Sequence, residues 1–208
     1  IRSGGGSPAL YNKKLYLEGF KRRFPLIRAE DLERMCGGGC TEMMISGLSN
    51  VGSLDAGINL ALILDQTMPA LLKHADTFGA FYEGYLHAVH DAAIRVMEGV
   101  AQSQRDRIAL CPVPMRTLLI GDCIDRGLEY NAGGARYLWS IVNFAGMINV
   151  IDSLLVIRDR YYGDEKRDAA AFLAALSDES FRRAVKNHPH RFGIGDPDAD
   201  ALSHRFSH

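Results

Sequence analysis

With 208 residues, 47% of them hydrophobic, and a formal net charge of −1, the chain can bury one sizeable core and has no charge excess to draw it to nucleic acid or a membrane surface. The basic run Lys21, Arg22 and Arg23 is too short to argue for nucleic acid, and the apolar stretch Ile141 to Ile151 is too short for a membrane span and contains Asn143 and Asn149. Cys36, Cys40, Cys111 and Cys123 suit a reducing interior, and their spacing makes neither a disulfide framework nor a zinc knuckle; no leader-like pattern opens the chain, so a cytoplasmic protein without a bound metal is the expectation.

Apolar residues at Leu10, Leu15, Leu17 and Phe20 predict an amphipathic helix to Arg23, ended by Pro25. A short helix over Glu30 to Met35 feeds a glycine- and serine-rich loop, Gly37 to Asp55. The helical pattern resumes over Gly57 to Met68, with Ser53 or Asp55 as its cap. Phe81, Tyr85, Ala88, Ala92 and Val96 predict one long helix over Phe78 to Arg105, which Cys111-Pro112-Val113-Pro114 breaks. A further helical segment runs from Met115 through Ile120 to about Gly127. Tyr137 to Val142, aromatic and β-branched, reads as a short buried strand. Helices follow over Asn149 to Tyr161, Ala169 to Leu176 and Glu179 to Lys186. Helices around a few short strands give a helix-rich α/β class.

The most informative chemistry lies in Met35-Cys36-Gly37-Gly38-Gly39-Cys40-Thr41-Glu42. No Lys, Arg or His lies near Cys40 to stabilise a thiolate, and the Glu42 carboxylate disfavours one, so the sulfur stays S–H. A protonated thiol suits hydrogen-atom transfer. Glycines permit a tight finger with Cys40 at its tip, and in an extended loop residues two apart share a side, so Cys40 and Glu42 can reach one substrate. The plainer reading is a surface turn with a structural cysteine.

A second block, Asp122 to Tyr137, contains Gly133-Gly134-Ala135-Arg136-Tyr137 and resembles the G-G-A-[RK]-Y block of the glycyl radical enzymes, the pyruvate formate-lyase and glycerol dehydratase superfamily. Ser3 to Asn12 resembles the family's G-x-P-A-[LF]-[FY]-N segment, and Gly39-Cys40-Thr41-Glu42 its G-C-x-E finger. Val150-Ile151-Asp152-Ser153-Leu154 resembles its V-A-D-S-L helix, and Arg191-Phe192-Gly193 with Asp196 its [KR]-[YF]-G-x-D anchor. Five blocks in family order cover nearly the whole chain. Leu138, where the family usually has Asn, and Met43, where many members have Pro, depart from the pattern.

The resemblance implies part of a ten-stranded β/α barrel with the cysteine finger near residues 36–55 inside it. It assigns Cys40 to the thiyl and Glu42 to general acid or base work on a substrate hydroxyl or leaving group. Asp55, Ser53 and Tyr137 are candidate substrate contacts. Asp55 serves equally as a helix cap, and residues 133–137 equally as a tight turn entering a strand. A dehydratase-like lyase, eliminating water or another group, is favoured over a formate acetyltransferase, because formate-producing members place two cysteines adjacent; a decarboxylase of the same superfamily stays an alternative. The chain reads as an internal fragment, lacking the N-terminal part and the glycyl radical domain, and is therefore inactive alone. No cofactor is expected on it; the radical glycine lies elsewhere and is installed by a radical S-adenosylmethionine activase. A small-molecule substrate and a full-length homodimer complete the expectation. The rivals are a hydrolase or redox protein using Cys40 as a thiolate, and a non-catalytic helical module. Cys36, Cys111 and Cys123 are read as buried small residues, and His87 and His90 as solvated or at the core edge rather than as metal ligands.

Overall fold

The computed structural model describes residues 12–38, 42–50, 54–164 and 167–207. The chain divides into two compact units, one of residues 1–56 and 97–143 and one of residues 57–96 and 144–208.

In the first unit, helix α1 (Lys13–Arg23) starts where the Asn12 side chain accepts hydrogen bonds from the amides of Lys14 and Leu15. Its last turn carries Lys21, Arg22 and Arg23, favourably placed at the negative end of the helix dipole. The single turn α2 (Ala29–Leu32) leads into strand β1 (Met35–Gly38), which pairs antiparallel with β2 (Glu42–Ile45). The register sets Met35 against Ile45 and Gly38 against Glu42. Met35 and Ile45 are buried with Leu32 and Leu48, packed by Leu17, Phe20, Ile27, Met43, Tyr137 and Trp139. Part of the expected loop over 37–55 is therefore a hairpin, because its backbone amides pair across the glycines, and Met35 belongs to a strand rather than to the preceding helix.

Two single-turn helices, α5 (Pro114–Thr117) and α6 (Cys123–Arg126), replace the continuous segment expected to Gly127. Asp122 lies between them at φ 71° and Gly127 follows at φ 63°, left-handed conformations that no helix can run through. A wide turn, Tyr130–Gly134, begins where the Glu129 carboxylate accepts from the amides of Asn131 and Ala132. Cys123, Tyr130 and Ala135 form a small second core with Ile120.

The second unit is helical. Helix α3 (Leu60–His74) buries Leu60, Leu64, Met68 and Leu72, one residue per turn, and its cap is Asn59, which accepts from the Leu62 amide. Asp55 does not hold that position, and Ser53 lies outside the described residues. The helix continues through Pro69, past the end expected at Met68, because the buried stripe outweighs the one lost backbone bond. The long helix α4 (Phe78–Leu110) contributes Phe81, Tyr82 and Tyr85 to this unit's core. Helix α7 (Met147–Arg160) adds Val150, Ile151, Leu154 and Leu155. The hydroxyl of Tyr85 donates to the Leu60 carbonyl at 3.1 Å, and that of Tyr161 to the Leu72 carbonyl at 2.7 Å, so these two phenols are satisfied on the α3 backbone, whereas the buried Tyr82 hydroxyl has no hydrogen-bond partner among the described residues. Helices α8 (Ala169–Ala175) and α9 (Glu179–Lys186) follow as expected. An additional helix, α10 (Pro197–Ser207), is capped by Asp196, which accepts from the Ala199 amide. Asp152 of α7 accepts the Phe192 amide at 2.8 Å, so two of the motif blocks meet through a hydrogen bond.

A second small sheet pairs β3 (Ala56–Asn59) with β4 (Val142–Ala145), the strands along which the chain changes unit. Among the described residues the strands form two two-stranded sheets and close no barrel. The strand expected over Tyr137 to Val142 begins only at Val142. Tyr137 makes an isolated parallel bridge with Ser49, while the amides of Trp139 and Ile141 are taken by the side chains of Asn50 and Asp55 in place of a neighbouring strand.

Candidate active site

Glu42 opens β2 opposite Gly38, so three residues, Gly39 to Thr41, join the two strands. Those three, Cys40 among them, lie outside the described residues, as does Ser53. Glu42 lines a cavity of about 410 Å³ within the first unit. Tyr16, Phe20 and Phe24 of the α1 region form one wall, and Trp139 to Asn143 form another. Phe20 meets Trp139 edge to face at 6.1 Å, and Phe24 stacks on it at 6.5 Å. Apolar and aromatic walls with a carboxylate and the polar side chains of Ser140 and Asn143 suit a small organic molecule bearing hydroxyl groups.

Asp55 does not line this cavity. Its carboxylate is 13% exposed, ion-paired to Arg107 at 2.9 Å, and accepts the Ile141 amide at 3.1 Å. Its own amide donates to the Ile141 carbonyl at 2.8 Å. Asn50 is its counterpart: the side-chain carbonyl accepts the Trp139 amide at 3.1 Å, and the side-chain amide donates to Asn131 at 3.2 Å. Two side chains that follow the finger thus hold the cavity wall at alternate residues. Asn50 was not singled out in the sequence, and only its position in a Ser-Asn pair just after an apolar segment could have flagged it.

Tyr137, also absent from the cavity lining, donates its hydroxyl to Asp31 at 2.6 Å and accepts the Arg28 amide at 3.1 Å. Arg136 bridges two carboxylates. It donates to Asp31 at 3.1 and 3.2 Å, and through Nε and Nη2 to the two oxygens of Asp122 at 2.8 and 2.6 Å. Fork-to-fork pairing of this kind is the strong form of the arginine–carboxylate contact. Burial works to raise the Asp31 carboxyl, but the hydrogen bonds from Tyr137 and Arg136 outweigh it and hold it below its ordinary value. The Arg136 hydrogen bonds do the same for Asp122. Burial, together with the hydrogen bond to Asp31, pushes the Tyr137 phenol up.

These directions give the cluster an acid limit. Both carboxyls titrate lower in the folded chain than their ordinary 3.8, so they stabilise the fold above that value, and the contribution is lost as pH falls through the folded values. The unit has no histidine, and Trp139 is the only tryptophan of the chain. The midpoint of thermal unfolding read from Trp139 fluorescence should be flat from about pH 7 to 5 and fall below about pH 4. Asp122→Asn should lower the midpoint at neutral pH and shrink the acid decline. A wild-type midpoint unchanged to about pH 2 would show that the two carboxylates add nothing.

Cys123 is buried, and that burial, with Glu129 and Asp122 nearby, pushes its thiol up. Cys36 is half-buried in β1, and Cys111 is exposed, contrary to expectation, because the break at Pro112 ends α4 at the surface. His87 and His90 are exposed. Among the described residues no group of His, Cys, Asp or Glu could hold a metal ion, and no helix is long and apolar enough to cross a membrane.

Solved structures of glycyl radical enzymes share this fold. The chain is similar to the glycerol-bound form of the B12-independent glycerol dehydratase from Clostridium butyricum, at a TM-score of 0.85 and 20% identity over 99% of this chain and 28% of that one. It is also similar to the hydroxyproline dehydratase from Clostridioides difficile with trans-4-hydroxy-L-proline bound, at a TM-score of 0.83 and 22% identity over 98% of this chain and 28% of that one. In sequence it is 25% identical to a trans-4-hydroxy-L-proline dehydratase of Clostridioides difficile over 97% of this chain and 28% of that protein. The family model for pyruvate formate lyase-like proteins matches residues 1–208, and the chain belongs to that family. It spans 28% of the length of these relatives.

Proposed function

We propose that the chain supplies the cysteine-finger segment of a glycyl radical lyase that eliminates water from a small hydroxylated substrate inside a β/α barrel. The observation that carries the reading is the placement of Glu42, two residues beyond Cys40, on the wall of a cavity with aromatic and apolar sides. The dehydratase relatives support the choice of reaction. A glycyl radical elsewhere in the whole protein, installed by a radical S-adenosylmethionine activase, supplies the initial hydrogen abstraction. Cys40 as a thiyl takes a hydrogen atom from a substrate carbon and becomes S–H. Glu42 moves the proton that lets the neighbouring hydroxyl leave as water. Cys40 then returns its hydrogen atom to the product carbon, so atoms and electrons balance over the cycle. Ser53 remains a candidate substrate contact, while Asp55 and Tyr137 serve the same site by holding its frame. The whole enzyme is a cytoplasmic homodimer with no nucleic-acid or membrane partner.

The test is anaerobic activation of the whole protein with its activase. A glycyl radical signal in electron paramagnetic resonance, with water loss from vicinal diols or hydroxylated amino acids, is expected. Coenzyme A thiolysis of pyruvate would move the assignment to a formate acetyltransferase. Rapid iodoacetamide alkylation of Cys40 at neutral pH, with no radical, would move it to thiolate chemistry.

A further inference from the structure

The segment Arg136–Tyr137 is bound to both roots of the cysteine finger. Before β1, Asp31 receives the Tyr137 hydroxyl at 2.6 Å and Arg136 at 3.1 and 3.2 Å. After β2, the Tyr137 amide donates to the Leu48 carbonyl at 3.1 Å, and its carbonyl accepts the Asn50 amide at 3.1 Å. Asp122, held at φ 71°, takes the other edge of Arg136. Arg126 donates to the carbonyls of Gly133 and Ala135 at 3.0 and 3.2 Å, tying down the approach to the same segment.

The finger needs such a tie. Its two strands are four residues each, and a two-stranded hairpin of this size is marginal by itself. Its own backbone bonds therefore do little to fix where the tip lies. A tip carrying a hydrogen-transferring thiol is sensitive to that position, since a displacement of about 1 Å costs about 100-fold in rate.

We propose that Arg136 and Tyr137 are positioning residues that clasp both roots of the finger and so set the reach of Cys40 and Glu42 toward substrate. The inference rests on the reading of Cys40 as the hydrogen-transferring thiol. It gives the G-G-A-R-Y block a role that touches neither substrate nor radical. The two polar side chains of the block point at the finger's roots, and its glycines shape the turn that delivers them.

The experiment uses the whole activated enzyme with Tyr137→Phe and Arg136→Lys. Tyr137→Phe keeps the ring beside Trp139 and the backbone bonds to Leu48 and Asn50, removing only the hydroxyl's two links ahead of β1, to Asp31 and to the Arg28 amide. Spin count per protein, kcat per radical, KM and amide hydrogen exchange are measured. For Tyr137→Phe, radical content and KM should stay within about twofold, while kcat per radical falls about 10- to 100-fold. Exchange should quicken in β1 and β2 and stay unchanged in α7. A merely structural role would reduce folded protein, radical content and turnover together and leave kcat per radical unaltered, which overturns the proposal. Arg136→Lys should act in the same direction, because an ammonium cannot make the paired bonds to Asp122; if it misfolds, Tyr137→Phe decides alone. Cys40→Ala is run alongside. Should it retain turnover, the functional reading fails, and the exchange measurement still judges the clasp: unchanged exchange in β1 and β2 of Tyr137→Phe overturns it.

Discussion

Cys40→Ala in the whole enzyme is expected to abolish turnover while leaving the glycyl radical installable. In the proposed relay the radical forms upstream of Cys40, so losing the thiol removes the next station without removing the first. Glu42→Gln separates the two halves of the chemistry further. The amide can line the same cavity but can neither take nor give the proton that elimination requires, so water loss should fall by about 100- to 10,000-fold. Hydrogen abstraction does not need the carboxylate. Substrate recovered from Glu42→Gln in heavy water should therefore contain deuterium delivered by the exchangeable Cys40 S–H, whereas substrate recovered from Cys40→Ala should contain none. Full dehydration by Glu42→Gln would remove the carboxylate from the mechanism, and turnover by Cys40→Ala would remove the thiol. The two variants are read by the same assay and the same spin count, so each serves as the control for the other.

What the sequence disclosed depended on how far apart the interacting groups lie. The apolar repeat up to Phe20 and the helical pattern over Gly57 to Met68 are local signals, and helices form there, the first starting only at Lys13 behind the Asn12 cap and the second running on past Pro69 to His74. Asp196, Pro197 and the acidic first turn of α10 are equally local signals, masked by the polar sequence around them. The hairpin was hidden because glycines argue for a loop, yet a glycine still has a backbone amide and carbonyl to pair, and the burial of Met35 and Ile45 fixes the register. The strand at Tyr137 failed for a different reason. Its composition suits an extended backbone, but Asn50 and Asp55, 89 and 86 residues away, satisfy the Trp139 and Ile141 amides that a strand partner would have taken. The Arg136–Asp31 contact spans 105 residues, and no spacing rule reaches it. Motif resemblance offered Tyr137 as a candidate substrate contact and residues 133–137 equally as a tight turn; the geometry instead gives the Arg136 and Tyr137 side chains to Asp31 and Asp122. For Cys40 and Glu42 the reasoning from residue chemistry and the family motif pointed to the same pair, and the structure places Glu42 on a cavity wall.

The paired glycines of the same block should differ sharply when each is replaced by alanine. Gly133 has φ 95°, but a Cβ built there meets nothing nearer than Leu128 Cδ1 at 3.7 Å. Its substitution therefore costs the strain of a left-handed alanine, about 1–2 kcal/mol. Gly134 has no positive φ to defend, and its constraint is space. A Cβ there would lie 2.3 Å from the Leu128 carbonyl oxygen, 2.7 Å from that of Glu129 and 2.9 Å from Cys123 Sγ. Two of those neighbours are backbone, and the Glu129 carbonyl already accepts the Ala132 and Gly134 amides at 2.9 Å each, so the turn cannot open without breaking its own bonds. Gly134→Ala should destabilise the unit by about 3 kcal/mol or more, at the upper end of overpacking costs. Any relief of the clash moves Ala135, which is buried, and with it Arg136 and Tyr137. The loss should therefore appear both as a lower midpoint in urea unfolding followed by Trp139 fluorescence and as faster exchange in β1 and β2. If Gly134→Ala proves no worse than Gly133→Ala, the turn is more compliant than its contacts imply, and it cannot hold the clasp rigidly against the roots of the finger.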